Sequence, residues 1–181
     1  MPEQVPHPHE EPRWLTPAEL ETWQRFSLML HKLPTALEAQ LQQDSDLRYA
    51  EYYVLAGLSD QPEHRMRMSE LAVLANSEQS RLSHMMSRLE RRGFVRREPD
   101  PTNGRYTHAI LTDAGLAHLV EAAPGHVARV RALVYDVLEP AELDSLRSAA
   151  EKISESIDRW ERRGGPGENT ATQPQLRDAT R

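Results

Sequence analysis

Apolar residues recur at Leu20, Trp23, Phe26, Leu30, Leu33, Leu37 and Leu41, the three-and-four spacing of a single helical face. The segment Leu15-Thr16-Pro17-Ala18-Glu19-Leu20 opens that helix sharply. Thr16 suits the N-cap, Pro17 the first helical position, and Glu19 completes a capping box, with Leu15 and Leu20 spaced for a hydrophobic staple. Pro34 is expected to kink the helix or end its first part, because it removes a backbone donor and clashes one turn back. A second helix is expected over Leu47 to Leu58, with Tyr52, Leu55 and Leu58 on one side, before a loop at Asp60-Gln61-Pro62. Arg67-Met68 reads as a very short strand, and Ser69 as the cap of a helix running through Ala75.

The next helix is expected from Ser77 to Arg92. Leu82, Met85, Met86 and Leu89 fall at i, i+3, i+4 and i+7 and form its core face. Ser77, Ser80, Arg81, His84 and Arg88 share the opposite face. Sixteen residues span about 24 Å, enough to lie along a DNA major groove. Gly93 permits a left-handed helix end, with Phe94 packing back. Val95–Glu98 and Tyr106–Leu111 then read as a hairpin whose tip, Pro99 to Arg105, contains the turn signal Asn103-Gly104. Arg105 is placed to enter a minor groove, and Asp100 to pair with it and fix its direction.

After the hairpin, Thr112 caps a long helical region carrying Leu116, Leu119, Ala123, Val127, Val130, Leu133 and Val137, in which Pro124-Gly125 predicts a bend or break. A last helix begins near Pro140, carries Leu143, Leu146, Ala150, Ile153, Ile157 and Trp160, and should stop at Gly164-Gly165-Pro166. The ends, 1–13 and 164–181, are polar or Pro-rich and expected to be disordered. The fold class is therefore mainly α with a small β-wing: a winged helix-turn-helix over 47–111, flanked by helices over 14–46 and 112–163. Those flanking stripes exceed what one short domain buries, so a two-fold homodimer is expected, the alternative being a monomeric bundle.

Charge alters this picture locally. The chain carries −6 overall, yet residues 81–105 hold seven arginines against Glu90, Glu98 and Asp100, a net of +4 on a −10 remainder. Distant charges are screened within about 8–10 Å, so DNA would meet the local patch. No cysteine is present, which excludes disulfides, thiolate catalysis and cysteine-held zinc. No apolar run approaches a membrane span, and the N-terminus has no signal-peptide features, so a soluble cytoplasmic protein is expected. His7 and His9 form an HxH pair that a plain tail explains. The other histidines show no ligand spacing, and no phosphate loop, nucleophile elbow or carboxylate pair is evident. No metal, cofactor or enzymatic activity is expected.

Residues 69–115 resemble the core of the MarR family of transcriptional regulators. SELAVLANSEQSRLSHMMSRLERRGFVRR resembles its helix-turn-helix, with Leu-Glu-x-Arg-Gly at 89–93, and DPTNGRYTHAILTDAG resembles its wing. The resemblance extends over about 14–162. It implies a two-fold dimer with interleaved terminal helices and one winged domain per half of a pseudo-palindromic double-stranded DNA. It further implies a regulator that more often represses than activates. Ser77, Gln79, Ser80, Arg81, Ser83 and His84 would contact bases and nearby phosphates, Arg88 the backbone, and Asn103 and Arg105 the flank, with Asp100 supporting the wing. Arg81 and His84 stand where many relatives have Thr and Arg. Many members release DNA on binding a small effector. Trp23, His31, Tyr52, Tyr53 and Arg129 are the candidate pocket, although core packing or ordinary surface is the better explanation of each taken singly. A protein–protein adaptor or a ligand sensor that keeps the winged fold without specific DNA binding remains the alternative reading.

Overall fold

The computed structural model describes residues 12–163. Apart from Pro12 and Arg13, the expected tails lie outside the described residues, as do His7, His9 and the Gly164-Gly165-Pro166 stop. The chain divides into two units, Met1–Leu133 and Val134–Arg181.

The first unit opens with α1, Pro17–Ser45. Its start follows the sequence: the Glu19 N–H donates to Thr16 Oγ1 at 3.3 Å, and the Thr16 N–H to Glu19 Oε2 at 2.8 Å. The helix does not end at Pro34 but continues through it to Ser45. Pro34 and Leu30, whose carbonyl it deprives of a donor, are both exposed. A freed carbonyl on that outward face meets water, while Leu37 and Leu41 anchor the following turns in the core. Helix α2 (Tyr49–Ser59) follows, then a 3-10 turn at Pro62–His64 and strand β1 (Arg65–Arg67).

Helix α3 spans Met68–Leu74, so Ser69 is not its cap; it lies inside the first turn. The N-cap position is Arg67, whose N–H donates to Glu70 Oε2 at 3.3 Å. The turn into α4 (Gln79–Arg91) passes through Asn76 in the left-handed region, φ 41°, a conformation that asparagine tolerates. Ser77 falls in this turn, its N–H bonded to Ala72 O, so α4 begins two residues later than expected. Strands β2 (Val95–Pro99) and β3 (Thr107–Leu111) complete an antiparallel sheet of order β1-β3-β2, with Ala109 facing Met66 on one side and Arg97 on the other.

Helix α5 runs from Asp113 to Leu133. Thr112 Oγ1 accepts the Gly115 N–H at 3.0 Å and donates to Gly93 O at 2.6 Å, tying the helix start to the end of α4. Of the bend or break expected at Pro124-Gly125, the break does not occur. Pro124 and the residue one turn back, Val120, are exposed, the same circumstance as at Pro34. Gly125 lets α5 pack closely on α1: a Cβ there would stand 3.2 Å from Gln40 Nε2 and Asp44 Oδ2. The core is one cluster that includes Leu41, Leu47, Val54, Leu55, Leu58, Leu71, Leu82, Met86, Leu89, Val95, Ala109, Leu111 and Leu119. The α1 stripe is covered only toward its C-terminal end; Leu20, Trp23 and Leu30 are exposed.

In the second unit a 3-10 turn, Tyr135–Val137, holds the Val137 expected on the preceding helix, and α6 spans Pro140–Arg162. No residue of α6 is buried, and its stripe includes exposed Leu146, Ile153, Ile157 and Trp160. Among the described residues no helix is long and apolar enough to cross a membrane.

Candidate nucleic-acid interface

Helix α4 separates its residues by face. Leu82, Met85, Met86 and Leu89 are all buried. Gln79, Ser80, Arg81, Ser83 and His84 are all exposed, as a reading face requires. Ser77 is half-buried before the helix, with its hydroxyl 3.3 Å from Glu78 O. The helix ends as Gly93 predicts. Gly93 has φ 75°, its N–H donates to Glu90 O, and the Phe94 N–H reaches back to Leu89 O. Those two bonds satisfy carbonyls that a helix end leaves without donors, and they turn the chain directly into β2.

The arginines of the basic segment divide into two groups. Arg88 folds onto buried Glu51, with Nε and Nη2 at 3.0 and 2.9 Å from the same oxygen. Arg92 holds the end of α1 through Asp46 O at 2.6 Å, and its guanidinium lies 4.6 Å over the Phe94 ring. Arg96 pairs with Glu98, and Arg97 with Glu90. Arg81, Arg91 and Arg105 have no ion-pair partner among the described residues and are exposed. Arg91 was not singled out from the sequence. It follows His84 by seven residues on the same face, and that spacing was the available signal.

The wing tip is built on Asp100. Its Oδ1 accepts from the Thr102 N–H at 2.8 Å, the Thr102 hydroxyl at 2.6 Å and the Asn103 N–H at 3.0 Å. Its Oδ2 stands 3.7 Å from His108 Nε2 and 3.9 Å from Arg67 Nη2. Asp100 therefore pairs with Arg67 and His108 rather than with Arg105. The carboxylate lies in the loop's concavity, where local N–H groups converge, and this leaves Arg105 outward. The Thr102 hydroxyl, then the Thr102 and Asn103 amides and the nearby His108, hold the carboxyl at about 2. Asn103 Oδ1 accepts the Arg105 N–H at 3.2 Å. Arg67 also lies 4.7 Å over the Tyr106 ring, which braces the base of the loop.

The five candidate effector residues are not gathered by the described grooves. Trp23 leans on Phe26 at 6.3 Å, and exposed His31 contacts Ser27 O through Nδ1 at 2.7 Å. Tyr52 lies 4.3 Å from the His126 ring, and burial raises the Tyr52 hydroxyl's pKa and lowers that of His126. Tyr53 lines a groove with Tyr49, Ala50, Leu74, Ala75 and Asn76, and Arg129 is exposed on α5. Among the described residues no group of three or more His, Asp or Glu is placed to hold a metal.

The MarR family model matches residues 47–107, from just before α2 to the start of β3. The chain is 41% identical to Sco3205 of Streptomyces coelicolor, a MarR family transcriptional regulator whose structure was solved in complex with DNA. The superposition covers 82% of this chain and 92% of that one, with TM-score 0.79. AbsC, a MarR family transcriptional regulator of the same organism, is 37% identical over 81% of this chain and 99% of its own, with TM-score 0.78. The transcriptional repressor MprA of Escherichia coli K12 is 26% identical over 113 residues, 62% of this chain and 64% of MprA. YkoM of Bacillus subtilis, an HTH-type transcriptional regulator, is 38% identical over 65 residues, 36% of this chain and 42% of YkoM. The match thus spans under two thirds of each of these two curated relatives.

Proposed function

The chain belongs to the MarR family of transcriptional regulators, and from that premise we propose that it is a homodimeric, sequence-specific double-stranded DNA-binding repressor acting in the cytoplasm. Helix α4 enters the major groove of each half of a pseudo-palindrome, and the wing enters the adjoining minor groove. One observation carries this reading. Arg81 and Arg91 on the outward face of α4, and Arg105 at the wing tip, are exposed and without ion-pair partners among the described residues, while Arg88, Arg92, Arg96 and Arg97 are neutralised internally. Ser80, Arg81 and His84 are the base readers, Ser83 and Gln79 border them, and Asn103 and Arg105 serve the flank, with Asp100 holding the loop. The exposed stripe of α1 and the exposed stripe of α6 are each surfaces for a second copy.

Selection from random duplexes, followed by anisotropy titration at two salt concentrations, tests the proposal. It requires an enriched inverted repeat and an affinity that falls steeply with salt, as phosphate neutralisation demands. Failure to enrich any sequence, together with no retardation of DNA at low salt, would instead favour the adaptor reading, which the acidic remainder of the chain supports.

A further inference from the structure

Two of the internally paired arginines act on α4 from opposite sides. At about 100° per residue, Ser83, Ser87 and Glu90 form one flank of the helix and Arg88 the other, with Ser80, His84 and Arg91 between them. Arg88 ties its flank to Glu51 of α2. On the other flank, Arg97 of β2 lies along two turns of the helix. Its Nε donates to Glu90 Oε2 at 2.9 Å, and Nη2 donates to the same oxygen and to Ser87 Oγ at 3.0 Å. Its Nη1 stands 3.5 Å from Ser83 Oγ. Both side chains of the Arg97–Glu90 pair are about three-quarters covered, 27% and 28% exposed. The hydrogen bond from Arg97 holds the Glu90 carboxyl below its ordinary range. The backbone between α4 and β2 is only Arg92, Gly93 and Phe94, with Gly93 at φ 75°. Arg97 sits mid-ladder opposite Ala109, and the hairpin continues beyond it to Arg105.

We infer that Arg97 is a positioning residue that bridges β2 to Glu90, Ser87 and Ser83, fixing the wing against α4 and thereby setting the offset between Arg105 and the reading face. The inference rests on the DNA-binding proposal above. A small rotation at the base of a hairpin becomes a larger displacement at its tip, so a tether at mid-strand governs where Arg105 arrives. The fork of an arginine is suited to this; a lysine offers one point charge and cannot span the same three partners.

The experiment uses the full-length protein and its selected duplex. Glu90→Gln keeps the side-chain shape but removes the charge that anchors Arg97, and Arg97→Lys keeps the charge but loses the fork. The cost of Arg105→Ala is measured in wild-type, Glu90→Gln and Arg97→Lys backgrounds. The tether predicts that this cost shrinks by about threefold or more in both, the scale of coupling between interacting residues. It also predicts faster amide exchange of residues 96–98 and 107–109 in both variants without DNA, while the amides of α2 stay protected. If Glu90→Gln instead tightens binding and leaves the Arg105 cost unchanged, Arg97 is a phosphate ligand released from Glu90 and the inference is overturned. Unchanged wing exchange overturns it as well, with or without DNA. Absence of DNA binding by the wild type would overturn the functional proposal separately, with the exchange arm still deciding the tether.

Discussion

Arg81 stands on the outward face of α4, with neither an ion pair among the described residues nor burial to hold it. A guanidinium in that position can present two donors to one guanine edge. Arg81→Ala should therefore cost about 1–3 kcal/mol on the selected duplex and relax preference at one base position. Equal losses on selected and random DNA, read by anisotropy, would reduce Arg81 to a phosphate contact. Asp100 makes a different prediction. Its carboxyl is held at about 2, below the ordinary value of 3.8, by the Thr102 hydroxyl and the loop amides. The folded state thus prefers the charged form. The wing's stabilisation from Asp100 is fully present above about pH 4 and is lost as pH falls through about 2. An acid titration of the Thr102 and Asn103 amide resonances should show that midpoint. Asp100→Asn should remove the corresponding acid sensitivity, and an unaltered acid profile in that variant would show that the carboxylate does not govern the loop. The spacing of α4 made its buried and outward faces legible, because period 3.6 assigns faces locally. The partner of Asp100 was not legible: Arg67 and His108 are brought to it by strand pairing, and sequence proximity pointed instead to Arg105. Nor was the Arg88–Glu51 pair, 37 residues apart.

At the scale of elements, ends were easier to read than interiors. The Thr16 capping box, the Gly93 turn and the Thr112 cap are short-range devices and appear where their residues predict. Ser69 was misplaced because it has the chemistry of a cap, while Arg67 holds the capping position with its N–H bonded to Glu70; Ser77 lies in the turn, and α4 starts two residues after it. Pro34 and Pro124 interrupt neither α1 nor α5, since the outcome depends on whether the freed carbonyl faces water, and a one-dimensional pattern does not say. Gly115 shows the converse. A Cβ there would overlap the Phe94 carbonyl oxygen and crowd Leu111, at the junction of α5 with the end of α4. The carbonyl belongs to the backbone, fixed by the bond from the Thr112 N–H at 3.0 Å, and cannot swing aside. Gly115→Ala should destabilise the domain by about 1–3 kcal/mol or more, as overpacking does, and lower the melting temperature. Gly57→Ala meets only the Leu74 side chain and should cost less. Equal melting temperatures for the two variants would contradict the rigid junction.

At the scale of the molecule, the net charge of −6 is a poor guide to the partner, and the pairing pattern is a better one. Arg88, Arg92 and Arg97 tie elements of the winged domain together and Arg96 pairs with Glu98 on its own strand; Arg81, Arg91 and Arg105 are exposed, have no ion-pair partner among the described residues, and are left for something outside it. The helices add the second half of the account. Leu20, Trp23 and Leu30 on α1, and Leu146, Ile153, Ile157 and Trp160 on α6, are apolar and uncovered. A pair of chains related by a two-fold axis would cover such stripes and would set two winged domains against one duplex. Hydroxyl-radical footprinting of the complex on its selected duplex tests this most directly. The account predicts two equivalent protected patches about a dyad, their centres one helical turn or a small multiple apart, each flanked by minor-groove protection that Arg105→Ala removes. A single unsymmetrical patch, or no protection at concentrations that saturate the duplex, would contradict it.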